Sequence, residues 1–271
     1  DGDQDNRDIL EKAVLLRENG NYNEAISLLK DGISQFPKNP ELPTLLSHCY
    51  ILTDNLTDAS IYLEKAKSIN PGIASVGWNE TRILLKQKKI NEALAVASKA
   101  NKLFPNDIEG MNVLGSCLRA NGSFDEGLKY LNKALNLKPD FAEAFINRGL
   151  IWLKQENKGK ALADFENAHK HKPHIKQIWN LLLNLKIEAN DFDNTIDIAK
   201  EMVKIDPLNE KVFANIGLCY QHLENFDDAI AAYNKAIEIK PDFAEAFYNT
   251  GVALQKKGML NEAIEAYNKA I

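Results

Sequence analysis

The sequence predicts an all-α fold, a solenoid of about eight stacked helix–turn–helix units, and three observations lead there. The octapeptide KPDFAEAF occurs twice, at Lys138–Phe145 and Lys240–Phe247, followed each time by an Asn and a Gly at the same offsets: Asn147 and Gly149, then Asn249 and Gly251. Prolines recur at Pro37, Pro71, Pro105, Pro139, Pro173, Pro207 and Pro241, one every 34 residues without an insertion. Small residues recur at fixed places within that period. Self-similarity of this kind marks repeats that bury their apolar faces only against their neighbours.

With the proline numbered as position 32, the repeats begin at Asn6, Pro40, Ala74, Ile108, Ala142, Lys176, Glu210 and Ala244. Position 8 is Gly115, Gly149, Gly217 or Gly251; position 20 is Ala25, Ala59, Ala93, Ala161, Ala229 or Ala263; position 27 is Ala66, Ala100, Ala134, Ala168, Ala236 or Ala270. Through these residues and the prolines the chain resembles the tetratricopeptide repeat (TPR) proteins over nearly all its length. The resemblance implies one elongated domain over 1–271, a right-handed superhelix of helix pairs. Its concave wall would be built from the first helix of each pair, chiefly positions 2, 5, 6, 9, 12 and 13.

Taken in order, the first repeat has Asp5 or Asn6 placed to cap its opening helix, with Asp8 and Glu11 near the positive end of the helix dipole. Ile9, Ala13 and Leu16 follow helical spacing and form a buried stripe. Gly20–Asn21 breaks the chain between the two helices, and the second helix turns Ala25, Leu28 and Leu29 inward. Pro40 and Pro43 open the next repeat, where a first helical turn has no N–H partners to lose.

The repeat from Ala74 is irregular, with Gly77 at position 4, where an aromatic is usual, and Trp78 beside it. Trp78 either turns inward to fill space left by Gly77, Ala97 and Ala100 or projects into the groove as an anchor; the cost of empty core volume favours the former. The next two repeats are more regular. The run His169-Lys170-His171-Lys172-Pro173-His174 matches no metal-ligand spacing and reads as a solvated helix end whose cations suit the dipole. The repeat from Lys176 exchanges large and small residues, with Leu183, Thr195, Ala199 and Met202 at positions 8, 20, 24 and 27, and predicts a local change of curvature. The last two repeats return to regular form. The final repeat lacks a capping helix, leaving Leu260, Ile264 and Tyr267 uncovered.

The composition excludes several classes. A net charge of −5, spread along the helices, gives no basic stripe for a nucleic acid. No apolar run approaches the ~20 residues of a membrane span. Asp1–Asn6 has no initiating Met or signal core, so the chain reads as an excised fragment, with a soluble, cytoplasmic setting favoured. Cys49, Cys117 and Cys219 share position 10, at least two repeats apart, and read as buried packing residues rather than a disulfide or metal set. Neither a catalytic array nor a phosphate loop nor a cofactor motif is present, and no enzymatic role is expected of this stretch itself.

The binding candidates lie on the expected inner wall. Position 6 is Asn79, Asn147, Asn215 and Asn249, with Asn112, Asn180 and Asn184 adding amides at positions 5 and 9. A side-chain amide both donates and accepts, so a row of them suits the backbone of an extended polypeptide. The row is partly similar to the asparagine ladder of the TPR superhelix in O-linked N-acetylglucosamine transferases, but Glu11, Leu45, Val113 and Leu181 interrupt it. The alternative is that Asn is simply a common polar choice there.

A carboxylate clamp, as in chaperone-cofactor TPR domains, is not expected: Asn184 and Asn215 occupy its Asn places, but Asn180, Glu245 and Asn249 stand where cations are needed. Trp78, Arg82, Arg119 and Tyr248 complete the groove candidates, and Lys86, Lys154, Lys211 and Lys256 are further charges on the same wall. Three readings follow: a scaffold binding a protein or peptide in its groove, the substrate-recruiting arm of a larger transferase, and a scaffold that self-associates through its last repeat.

Overall fold

The computed structural model describes residues 2–271, which form sixteen α-helices, one short 3-10 helix and, among the described residues, no strand. The chain divides into two compact units at Lys172/Pro173. The first holds five antiparallel helix pairs: α1 (Gly2–Glu18) with α2 (Tyr22–Gln35), α3 (Glu41–Leu52) with α4 (Leu56–Ile69), α5 (Ala74–Lys86) with α6 (Ile90–Leu103), α7 (Ile108–Ala120) with α8 (Phe124–Leu137), and α9 (Ala142–Lys154) with α10 (Lys158–His171). The second opens on the 3-10 turn Lys176–Ile178 and holds three pairs: α11 (Trp179–Glu188) with α12 (Phe192–Ile205), α13 (Glu210–His222) with α14 (Phe226–Ile239), and α15 (Ala244–Lys256) with α16 (Leu260–Ala270). The unit boundary falls just ahead of the irregular sixth repeat. Because α1 starts at Gly2, Asp5 and Asn6 lie inside it and are not its caps.

One turn design closes every pair. Position 15 takes a left-handed backbone in all eight repeats: Gly20, Gly122 and Gly258 at φ near 80°, and Asp54, Lys88, Glu156, Asn190 and Glu224 at φ near 60°. The next N–H then reaches back to the carbonyl at position 11, as in Asn55 N to Tyr50 O (2.9 Å) and Asn225 N to Tyr220 O (2.9 Å), the six-to-one bond that satisfies a helix end. A non-Gly residue in this region bears a steric cost of about 1–2 kcal/mol, partly offset by the greater flexibility of Gly in the unfolded chain. Glu224→Gly is therefore expected to stabilise the second unit by about 0.5–1 kcal/mol, read as a higher urea midpoint.

Helices within a pair approach closely where position 8 is Gly and position 24 is large. A Cβ on Gly149 would lie 2.7 Å from the Phe165 ring, and one on Gly217 only 2.5 Å from Tyr233. Where position 8 grows, position 24 changes with it: Leu183 faces the repeat of Ala199, and Thr81 that of Ala97, all four fully buried. This is the large-for-small exchange read from the sequence. Cys49, Cys117 and Cys219 are free and wholly buried, and burial pushes their thiols up to about 11, 12 and 12 respectively.

Two expectations change. Trp78 turns inward, the favoured of its two readings, and so leaves the set of groove candidates: it is 1% exposed and packs with Ala74, Ala100, Phe104 and Val113. Its indole lies over Gly110, where a Cβ would come within 2.7 Å of Cη2. Gly77 still leaves a hollow of about 220 Å³ between Ile73, Val96, Leu103 and Phe104, so the indole has moved toward the next repeat instead of filling it.

The His169–His174 run is not a purely solvated helix end. His169 is buried, His171 stacks on Phe145 with ring centroids 6.3 Å apart, and Lys172 is drawn into an ion-pair network. Among the described residues, no group of His, Cys, Asp and Glu is arranged to hold a metal. No helix among them is long and apolar enough to cross a membrane.

Candidate functional site

In the first unit the predicted groove amides have partners within the chain. Asn79, 1% exposed, donates from Nδ2 to the Thr44 carbonyl (2.8 Å) and accepts from Arg82 Nη1 (3.1 Å). Arg82 in turn pairs with Glu109. Asn147 Nδ2 donates to Asn112 Oδ1 (2.8 Å), so these two amides complete each other. Asn79 is thus a spacer between neighbouring helices, not an accessible rung, because its amide is spent on the Thr44 carbonyl and the Arg82 guanidinium. Arg119 is partly buried, with Nε unpartnered, and burial lowers its pKa.

The same face carries a network that the repeat pattern did not reveal. Arg17 Nη1 donates to His48 Nδ1 (3.1 Å), which fixes that ring nitrogen as an acceptor and His48 as neutral, since an arginine only donates. Arg17 also pairs with Glu18 (2.6 Å). Lys172 joins Glu18 to Glu143, 2.7 Å from the latter, linking the first repeat to the fifth.

Burial, reinforced by Arg82, Arg17 and Lys172, holds the His48 imidazole well below its ordinary value. Burial opposes the charged form of Glu18, but the hydrogen bond and charge of Lys172, with those of Arg17, outweigh it and lower the carboxyl pKa. Burial likewise opposes charge on Lys172, and Glu143 and Glu18 reverse the balance and raise it. Residues so far apart in sequence leave no periodic signal; only the unusual Arg17-Glu18 and Lys172 at repeat ends hint at them.

The second unit is arranged differently. Asn180 and Asn184 from α11, Lys211, Ala214 and Asn215 from α13, and Phe243 and Glu245 at the start of α15 surround a pocket of about 220 Å³. The pocket opens on successive first helices, as the repeat register predicts. Asn215 is only 7% exposed, and among the described residues its amide has no hydrogen bond within the chain. Asn180 Oδ1 is buried without a partner. Buried polar atoms are ordinarily paired, so the Asn180 oxygen is a group prepared for a bond it does not yet make, and the Asn215 amide opens on the same pocket.

Asn249 is buried and is not among the residues lining the pocket, and Tyr248 lies elsewhere. Tyr248 is exposed, sits 5.6 Å from the Tyr267 ring, and lines a mainly apolar hollow with Ala244, Ala270 and Ile271.

Helix pairs repeating every 34 residues, each closed by the same left-handed turn, define the protein's class. Family profiles described as tetratricopeptide repeat match residues 16–75, 81–140 and 113–174, and one described as TPR repeat matches 222–258; the chain belongs to the tetratricopeptide repeat proteins. It is 29% identical over 111 residues to Hsp70-Hsp90 organizing protein 3 of Arabidopsis thaliana, covering 41% of this chain and 20% of that protein. It is 26% identical over 125 residues to the UDP-N-acetylglucosamine--peptide N-acetylglucosaminyltransferase of Giardia intestinalis, covering 42% of this chain and 8% of the relative. The chain spans about a fifth to a third of the length of the organizing proteins it matches.

Among solved structures, Cut9-Hcn1 of the APC/C superposes over 97% of this chain and 52% of its own, with a TM-score of 0.72 at 16% identity. YrrB, a TPR protein with an unusual peptide-binding site, covers 65% of this chain and 90% of its own, with a TM-score of 0.58 at 22% identity. At these identities the likeness is one of fold.

Proposed function

We propose that the chain is a protein-interaction scaffold that holds an extended stretch of polypeptide in the pocket of its second unit. The observation that carries this reading is the buried, unpartnered Oδ1 of Asn180, set beside Asn184 and Asn215 on one pocket. Three amides can each give one donor and one acceptor to peptide groups, which recur along any extended chain and match that pattern whatever the side chains are. The first unit takes a different part: its groove amides Asn79, Asn112 and Asn147 are already joined to partners within the chain, so it supports the array and does not grip the ligand. A TPR relative such as YrrB, with its peptide-binding site, is consistent with this assignment. The scaffold reading gives this chain no catalytic step.

Asn215→Ala is expected to weaken binding of captured peptides about tenfold, the loss of roughly one buried hydrogen bond. Fluorescence anisotropy measures the affinity, and circular dichroism checks that helical content is unchanged. Equal affinity in a folded variant would remove the pocket from the proposal. A second reading, the substrate-recruiting arm of a larger transferase, is favoured by the peptide N-acetylglucosaminyltransferase among the relatives. Under that reading the same pocket holds the polypeptide to be modified, and peptides it captures should be substrates of the whole protein.

A further inference from the structure

We infer that the second-unit pocket selects an internal stretch of polypeptide bearing opposite charges, with a lysine or arginine set against Glu245 and an acidic side chain against Lys211. The inference rests on the scaffold reading and adds to it the chemical class of the ligand. Glu109, Glu143, Lys211 and Glu245 all stand at position 2 of their repeats, on the first helix of the pair. In the first unit two carboxylates at this position are answered from within the chain: Glu109 pairs with Arg82, and Glu143 pairs with Lys172, whereas Glu41 forms no ion pair among the described residues. In the second unit Lys211 and Glu245 line the pocket, both are exposed, and neither forms an ion pair among the described residues.

Two repeats of the first unit therefore display, with their own side chains, the kind of contact that Glu245 leaves for a partner. Glu245 would receive a ligand cation as Glu143 receives Lys172. Lys211, a cation at the same position, would receive an anion. The amides of Asn180, Asn184 and Asn215 lie with these two charges around the pocket and would take the peptide groups of the ligand. A free C-terminal carboxylate suits this pocket poorly, because it would meet a single cation and the like charge of Glu245, and like-charge juxtaposition is strongly unfavourable.

The test uses the full chain on an array of acetylated, C-terminally amidated twelve-residue peptides of permuted sequence. The wild type should retain peptides carrying a basic and an acidic residue a few positions apart. Glu245→Lys should turn the preference from basic to acidic at the corresponding site, with a relative change in affinity of about tenfold in anisotropy titrations of the best peptides. The double variant Lys211→Glu with Glu245→Lys should favour peptides with the charge order reversed. Replacing the terminal amide by a free acid should give the wild type no gain.

An unchanged charge preference in Glu245→Lys, with binding still lost in Asn215→Ala, overturns the charge assignment and leaves the scaffold reading standing. No peptide retained by the wild type, or full binding by Asn215→Ala, overturns both. Should Asn215→Ala lose helicity, the exposed Asn184→Ala replaces it as the probe of the pocket.

Discussion

Trp78→Ala is expected to destabilise the first unit by about 3–5 kcal/mol, the usual cost of removing a large aromatic from a packed core. The indole is 1% exposed, packs on Ala100 and Phe104 at the end of α6, and reaches the following pair through Val113. No neighbour is placed to take its volume, since Gly77 on one side already leaves a hollow and Gly110 on the other has no side chain. The damage should be local, because each repeat is held by its neighbours. Amide exchange should rise over α5, α6 and α7, with little change in α9 and α10. Trp78→Phe should cost less, because it keeps most of the ring contact and removes an indole N–H that is buried without a partner. Trp152 provides the contrast: it is only half-buried beneath the Lys160 ammonium, and its alanine variant should be milder. A cost near 1 kcal/mol for Trp78→Ala would show that the neighbouring helices collapse into the space after all.

The parts of this molecule that were legible in the sequence are those a period can carry. Gly149 and Phe165, or Leu183 and Ala199, occupy the same two places in their repeats, so the exchange of volume between them is visible without coordinates. The turn at position 15 is less visible, because Asp54, Lys88 and Glu156 adopt there a backbone more often given to Gly. The packed stack imposes that conformation against local preference.

Site residues were harder, since the register places a residue on a face but does not say what meets it. Asn79 and Asn215 share position 6, yet one donates to Thr44 and the other faces a pocket. The difference comes from neighbours: Arg82 and the Thr44 carbonyl lie beside Asn79, and no comparable group satisfies Asn215. Lys172 was misread for the same reason, since the dipole accounts for a cation at a helix end but not for the Glu18 and Glu143 carboxylates it reaches.

Lys172→Met is expected to cost the first unit about 2–3 kcal/mol at neutral pH, in the range of hydrogen bonds to charged groups, and the effect should depend on pH in a defined way. Removing the ammonium leaves the Glu18 and Glu143 carboxylates without the cation that joins them. In the wild type, Glu18 has a lowered pKa, so its contribution is present above its ordinary range near 4.5 and is lost as pH falls through the lower folded value. Lys172 has a raised pKa, so its contribution is present below its ordinary 10.5 and is lost as pH rises through the higher folded value. The penalty of Lys172→Met should therefore be fullest between those limits and should shrink as pH falls through the lowered folded value of Glu18. His48 adds a separate step. Its lowered pKa means that below its ordinary 6.5 the unfolded chain takes up a proton the folded one resists, so stability begins to fall there before Glu18 titrates. His48→Gln should remove that first step and leave the second. Urea midpoints measured from pH 3 to pH 8 on the wild type and both variants would resolve the two steps. A Lys172→Met penalty that stays constant down to pH 3 would mean the lysine acts through its aliphatic stem and not through its charge.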